Sequence, residues 1–176
     1  MKIVVSSLAL APDVIAREKP SHVVSLLSPE EIHLAPGGHA PERHLRLAMH
    51  DLRDEIVFSG EVPPCAEHVA ELLAFADTWD AADAILIHCW AGVSRSTAAA
   101  FTLACARNPS VPETAIARAL REASPTAWPN PVLVGCADTA LGRSGRMLEA
   151  IADIAEPPHF DAAPFHIPAT FAVRVD

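Results

Sequence analysis

The chain has 176 residues, 51% of them apolar and 20% charged, and a formal net charge of −9. That balance describes one globular domain with a sizeable core and excludes a disordered chain. It also argues against nucleic-acid binding, which needs a basic face; any positive potential must be local, built by a few donors in one pocket.

Residues 1–11, MKIVVSSLALA, have the outline of a secretory signal: a Lys, an apolar run and an Ala-x-Ala ending. The run is short and one basic residue precedes it, so a first strand over 2–8 accounts for the same residues better. A short helical piece follows at 11–18. His22–Leu27 is a β-branched run ending at Ser28-Pro29, a second strand. Pro36, Gly37, Gly38 and Pro41 mark a loop, and His44–Met49 alternates as a third strand. Val69, Leu72, Leu73, Ala76 and Trp79 share one face of a helix spanning about 65–79. Ala84–His88 is a fully apolar strand, the kind found at the centre of a sheet covered on both faces. A small-residue helix runs from Ser96 to about Ala106, and Ser110-Val111-Pro112-Glu113 has the form of a capping box for the next, ending near Ala123. A last helical region covers about 131–154, with Asn130 as its cap. Strands alternating with helices predict an α/β fold in three layers, with a mainly parallel sheet of four to five strands flanked by helices. The domain covers 1–155; residues 156–176 form a Pro-, Phe- and His-rich tail without periodicity.

Four cysteines, Cys65, Cys89, Cys105 and Cys136, are irregularly spaced with no Cys-x-x-Cys pair. This disfavours zinc or a disulfide framework and suits a reducing cytoplasm. No apolar stretch approaches the ~20 residues that span a bilayer, so no membrane partner is expected.

Chemistry concentrates in His88-Cys89-Trp90-Ala91-Gly92-Val93-Ser94-Arg95-Ser96. A buried strand ends at Cys89, a compact loop follows, and a helix begins near Arg95. Backbone N–H groups of residues 90–95 then point into one concavity at a helix N-terminus, which binds a tetrahedral anion. Gly92 permits the tight turn. Arg95 offers a planar fork that holds two phosphate oxygens at once. The same environment favours a thiolate at Cys89, with Ser96 donating its hydroxyl to the sulfur and His88 supporting the loop.

Cys89, five residues, Arg95 and Ser96, preceded by His88, resembles the His-Cys-x5-Arg-Ser/Thr signature of the protein tyrosine phosphatase superfamily. Ala91-Gly92-Val93-Ser94 resembles the Ala/Glu-Gly-x-Ser run of its dual-specificity-like members, and the Ala-rich, Tyr-free chain suits a compact dual-specificity-like or bacterial-type enzyme. The resemblance covers about residues 44–106. It implies a phosphatase domain acting on phosphomonoesters through a phosphocysteine intermediate, without metal or organic cofactor, and a loop that accepts phosphate, sulfate or vanadate. It also implies a general acid, an Asp at the end of a strand a few tens of residues before the cysteine. Asp51 and Asp54 stand 38 and 35 positions before Cys89. Asp51 follows the strand directly and is favoured; Asp54 is second, and Glu55 a further alternative.

Residues 90–94 contain no Lys, which favours a phosphoprotein or small phosphomonoester over a highly charged lipid head group. The chain has no Tyr, so it lacks the Tyr-bearing recognition loop of the large tyrosine-specific enzymes. Two other functions compete: a catalytically silent phosphate-binding module, which would dispense with Cys, Arg or acid, and a rhodanese-like sulfurtransferase, which lacks a separate acid. Beyond the loop, Arg143 and Arg146 are read as structural or surface residues and Gly142 and Gly145 as sites of close helix packing. His33, His39 and His44 stand near a loop that could line the mouth, without metal-site spacing. Trp90 is expected to pack away from the phosphate, and Cys105 and Cys136 to lie in the core.

Overall fold

In the computed structural model, residues 1–54, 58–157, 159–160 and 162–172 are described. The apolar runs form strands β1 (Lys2–Ser7), β2 (His22–Leu27), β3 (His44–Ala48) and β4 (Ile85–Cys89), all parallel. A fifth strand, β5 (Phe165–Pro168), joins antiparallel to β1, giving the order β3-β2-β4-β1-β5. The helices are α1 (Ala11–Glu18), α2 (Ala66–Asp77), α3 (Arg95–Arg107), α4 (Glu113–Ala123), α5 (Pro131–Ala140) and α6 (Arg146–Ala152).

Strand alternation divides the apolar side chains between two layers. Ile3, Val5, Val24, Leu26, Ile85 and Ile87 face a large core shared with residues of α2 to α6, whereas Val4, Val23 and Leu86 pack on Ala11 and Val14 of α1. The central strands are thereby covered on both faces, the expected three-layer α/β arrangement. Every residue of α3 from Arg95 to Cys105 is buried. Its alanines let the helix lie close under the sheet, which holds the turn between β4 and α3 deep in the molecule. The C-terminal ends of the parallel strands meet there, where open α/β sheets place their ligand sites.

Three expectations need correction, and the tail, whose packing the sequence leaves open, supplies a sheet strand: Phe165 and Ile167 of β5 point into the core opposite Val5 and Ile3. A four-residue strand carries too little alternation to be recognised in sequence. Helix α4 has no capping box, because Pro112 occupies the cap position and no side chain bonds there. Glu113 is instead buried and paired with Arg143 at 2.9 Å and Arg146 at 3.2 Å. Residues 131–154 form two helices, separated by a turn in which Gly142, Ser144 and Gly145 have φ of 62°, 54° and 91°. These glycines serve left-handed backbone, and a Cβ on either would meet nothing within 4 Å, so close helix packing is not their role. Asn130 does cap α5, accepting from the Leu133 N–H at 3.0 Å. Among the described residues no helix is long and apolar enough to cross a membrane.

Because Ile167 is fully buried in the main core, Ile167→Ala is expected to lower the unfolding free energy by about 2–5 kcal/mol. Urea titration followed by far-UV circular dichroism measures it; a change under about 0.5 kcal/mol would mean β5 adds nothing to the sheet.

Candidate active site

The loop between β4 and α3 is held by its carbonyls. Leu8 N–H donates to Trp90 O at 3.1 Å, Trp128 N–H to Val93 O at 2.9 Å and Asn130 N–H to Ser94 O at 3.3 Å. The Thr97 hydroxyl also lies 2.5 Å from Val93 O and 2.9 Å from Ser94 O, with one proton to donate between them. Within the loop, the Gly92 N–H lies 3.3 Å from Cys89 Sγ. Gly92 has φ of 78°, and a Cβ there would sit 2.8 Å from backbone atoms of Ser6 and Ser7. The glycine is needed twice over, for its left-handed φ and for this close approach to the end of β1.

Cys89 is 1% exposed at the floor of the loop, with Ser96 Oγ 3.1 Å from its sulfur. Arg95 is also buried. Its Nη1 donates to Met49 O at 2.7 Å, which fixes the guanidinium, while its buried Nε–H has no hydrogen-bond partner among the described residues. A buried guanidinium with a spare donor is costly unless an anion satisfies it.

Asp51 reaches the same place from the segment after β3. Its Oδ1 accepts from Ser94 Oγ at 2.7 Å and from Asn130 Nδ2 at 2.8 Å, and its Oδ2 lies 3.8 Å from Arg95 Nε. Arg53 braces the segment. It donates to Ser94 Oγ at 3.0 Å, to Trp128 O at 3.0 Å and to Pro129 O at 3.3 Å, with its guanidinium 3.4 Å from the centre of the Trp128 ring. Burial lowers the Arg53 pKa, and nearby Asp51 and Glu156 oppose that effect. Asp54 lines a cleft of about 520 Å³ with Arg53, Ala66, Cys136 and Leu148. Glu55 is outside the described residues.

His88 lies on the α1 side of the sheet and bonds to Ser25 of β2. The Ser25 hydroxyl lies 2.6 Å from His88 Nε2 and 2.8 Å from His44 Nε2. One hydroxyl proton can serve only one ring, so Ser25 donates to one imidazole and accepts from the other; the two neutral histidines therefore hold opposite tautomers. His44 is buried in this chain and does not line the mouth, and His39 beside it contacts Pro20 O at 3.1 Å. Trp90 does not pack away: its side chain is among the exposed aromatics of the molecule. Cys105 is buried in the core, Cys136 partly so. Burial raises the Cys105 thiol to about 12, which keeps it protonated and inert.

The structure thus brings together Cys89, Arg95, Ser94, Ser96 and Asp51, with His88 behind them. Sequence reading missed the role of Arg53 and gave Asn130 and Ser94 only part of theirs. Arg53 and Asn130 act across 41 and 79 positions of chain, and no local spacing marks such partners. The signal that was present is Arg53 two residues after Asp51, an acid and a cation on one strand-end segment.

No family model matches this sequence, and no curated protein matches it. Solved structures do match. The crystal structure of DUSP15 aligns over 87% of this chain and 94% of that chain, with 20% identity and a TM-score of 0.59. Human DUSP28 aligns over 81% and 89%, with 21% identity and a TM-score of 0.57. PTPMT1 in complex with PI(5)P aligns over 80% and 90%, with 14% identity and a TM-score of 0.58. The chain shares the fold of dual-specificity and tyrosine phosphatases, as the sequence signature implied.

Burial holds His88 and His44 down to about 4 from an ordinary 6.5. As pH falls below 6.5 the unfolded chain binds protons that the folded chain refuses, so stability present above 6.5 is lost progressively toward 4. The loss is on the order of 2 kcal/mol per imidazole between pH 6.5 and 5. Urea unfolding at pH 7 and pH 5 is expected to show it, with a smaller drop in His44→Asn; equal drops in both proteins would refute the contribution of His44.

Proposed function

We propose that this chain is a cysteine-dependent phosphomonoesterase acting through a phosphocysteine intermediate. The observation that carries the reading is the carboxylate of Asp51, held by Ser94 of the anion loop and by Asn130 beside Arg95. A silent binding module has no use for an acid so placed, and a sulfurtransferase has no leaving alkoxide to protonate.

In the proposed reaction the phosphoryl group sits on the N–H groups of residues 90–95, with Arg95 clamping two of its oxygens. The Cys89 thiolate attacks phosphorus, an S–P bond forms, and the P–O bond to the leaving group breaks. Asp51 gives its proton to the departing oxygen. Water then attacks the phosphocysteine while Asp51 takes a proton from it; the S–P bond breaks and inorganic phosphate departs. Ser96, 3.1 Å from the sulfur, stabilises the thiolate as nucleophile and as leaving group. The charge is neutralised by Arg95 and the backbone, so the cycle uses no metal.

This assignment makes Asp51, not Asp54, the general acid. The lack of Lys in residues 90–94 supports a substrate with a single phosphate on a protein side chain or small molecule.

With an aryl phosphate, Cys89→Ser is expected to abolish turnover and Arg95→Ala to lower it by about 10²–10³-fold. Asp51→Asn should cost about 10²–10⁴-fold for a phenol leaving group and less for a nitrophenol, whose oxygen needs no proton to leave. Retained activity in Cys89→Ser would overturn the mechanism. An Asp54→Asn variant more impaired than Asp51→Asn would overturn the acid assignment.

A further inference from the structure

Asp51 meets the side chains of Ser94, Asn130 and Arg95, and their placement leaves its two oxygens in different chemical positions. Oδ1 accepts from Ser94 Oγ at 2.7 Å and from Asn130 Nδ2 at 2.8 Å. Oδ2 lies 3.8 Å from Arg95 Nε, beyond hydrogen-bonding distance. The direction of each bond to Oδ1 is decided one step further out. The Asn130 amide is oriented by its own oxygen, which accepts the Leu133 N–H at 3.0 Å. Its nitrogen, which only donates, therefore faces Asp51 Oδ1 and Leu52 O, both at 2.8 Å. A serine hydroxyl can donate or accept, and Arg53 settles which. Arg53 Nη1 donates to Ser94 Oγ at 3.0 Å, and a guanidinium has no lone pair with which to take the hydroxyl proton in return. The one proton of Ser94 Oγ is left for Asp51 Oδ1. Arg53 is itself held by Trp128 O at 3.0 Å, by Pro129 O at 3.3 Å and by the Trp128 ring, whose centre lies 3.4 Å from its guanidinium.

We infer that Arg53 is a positioning residue for the general acid: by turning the Ser94 hydroxyl toward Asp51 Oδ1, it places the acid's proton on Oδ2. The inference rests on the reading of Asp51 as general acid above and adds how its proton is held. An oxygen that faces two donors has no acceptor to which it could give a proton, so neutral Asp51 carries its proton on Oδ2. From there the proton passes to the departing oxygen as the P–O bond breaks, leaving a carboxylate whose Oδ1 keeps both donors. In the second step Oδ2 takes the proton of the attacking water. Without Arg53 the Ser94 hydroxyl is free to turn and accept from a proton on Oδ1. Asn130 does not prevent this, because Oδ1 keeps a lone pair for the amide. Neutral Asp51 then stores its proton against the loop instead of offering it to the leaving group.

The test compares kcat/KM for phenyl phosphate, whose leaving oxygen needs a proton, with that for nitrophenyl phosphate, whose leaving oxygen does not. Arg53→Met is expected to lower the phenyl phosphate value about 10-fold more than the nitrophenyl phosphate value, the worth of about one hydrogen bond to a charged group. A loop merely loosened by the substitution loses both substrates alike. Ser94→Ala removes the hydroxyl through which Arg53 acts, so it should show the same selective loss, and the double variant no more of it than either alone. Should Arg53→Met fail to fold, Arg53→Gln takes its place: its amide can accept from Ser94, so the selective loss is expected there too. Equal losses on the two substrates, or a selective loss that adds in full to that of Ser94→Ala, would refute the role of Arg53. Asp51→Asn, measured beside them, separates the two readings. If Asp51→Asn loses phenyl phosphate selectively and the Arg53 variants do not, this inference is wrong and the acid assignment stands. If Asp51→Asn shows no selective loss, the acid assignment fails, and this inference with it.

Discussion

An anion site made of backbone must leave its N–H groups unpaired with protein, yet hold them still. The loop after β4 meets that constraint by taking its support through its carbonyls. Leu8, Trp128 and Asn130 each donate a backbone N–H to a loop carbonyl, from three separate segments of the chain. Those carbonyls are thereby fixed, while the Gly92 N–H is turned to Cys89 Sγ at 3.3 Å. Gly92 completes the arrangement, because a Cβ there would stand 2.8 Å from the backbone of Ser6 and Ser7 at the end of β1. Sheet, central helix and the Trp128–Asn130 segment have in this sense one task, keeping seven residues in a single conformation.

A second consequence concerns charge. The chain carries a net charge of −9, yet it buries Arg95 at the start of α3 and half-buries Arg53 beside it. Both cations converge on the Ser94–Asp51 contact, Arg95 through Nε and Arg53 through the Ser94 hydroxyl. The positive field is confined to one pocket and braced by carbonyls of Met49, Trp128 and Pro129. A local positive pocket of this kind suits an anionic group, while the rest of the surface repels polyanions, in keeping with the composition.

How much of this was legible in the sequence divides along range of interaction. Strands β1 to β4 are runs of Val, Ile and Leu, and the loop packs nucleophile, turn glycine and guanidinium into adjacent positions, so local pattern sufficed for both. Asp51 was legible as a strand-end carboxylate. Its restraint by Asn130, and the support of Ser94 by Arg53, were not, because those pairs form only when α5 and the segment before it fold back on the loop. Glu113 illustrates the converse: its local pattern spells a cap, but burial against Arg143 and Arg146 places it in an ion cluster of the core. Strand β5 was hidden for a third reason. It is short, and its partner β1 lies at the far end of the sequence, so nothing near it records the pairing.

The central claim is that Cys89 carries the phosphoryl group during turnover. The most direct measurement is rapid acid quench of the enzyme with an aryl phosphate, followed by mass spectrometry of its peptides. A slowed second step, as in Asp51→Asn, helps the adduct accumulate. The account requires phosphate on the peptide containing Cys89, appearing with a stoichiometric burst of aryl alcohol and missing in Cys89→Ser. Steady turnover with no burst and no adduct, or an adduct on any other residue, would contradict it.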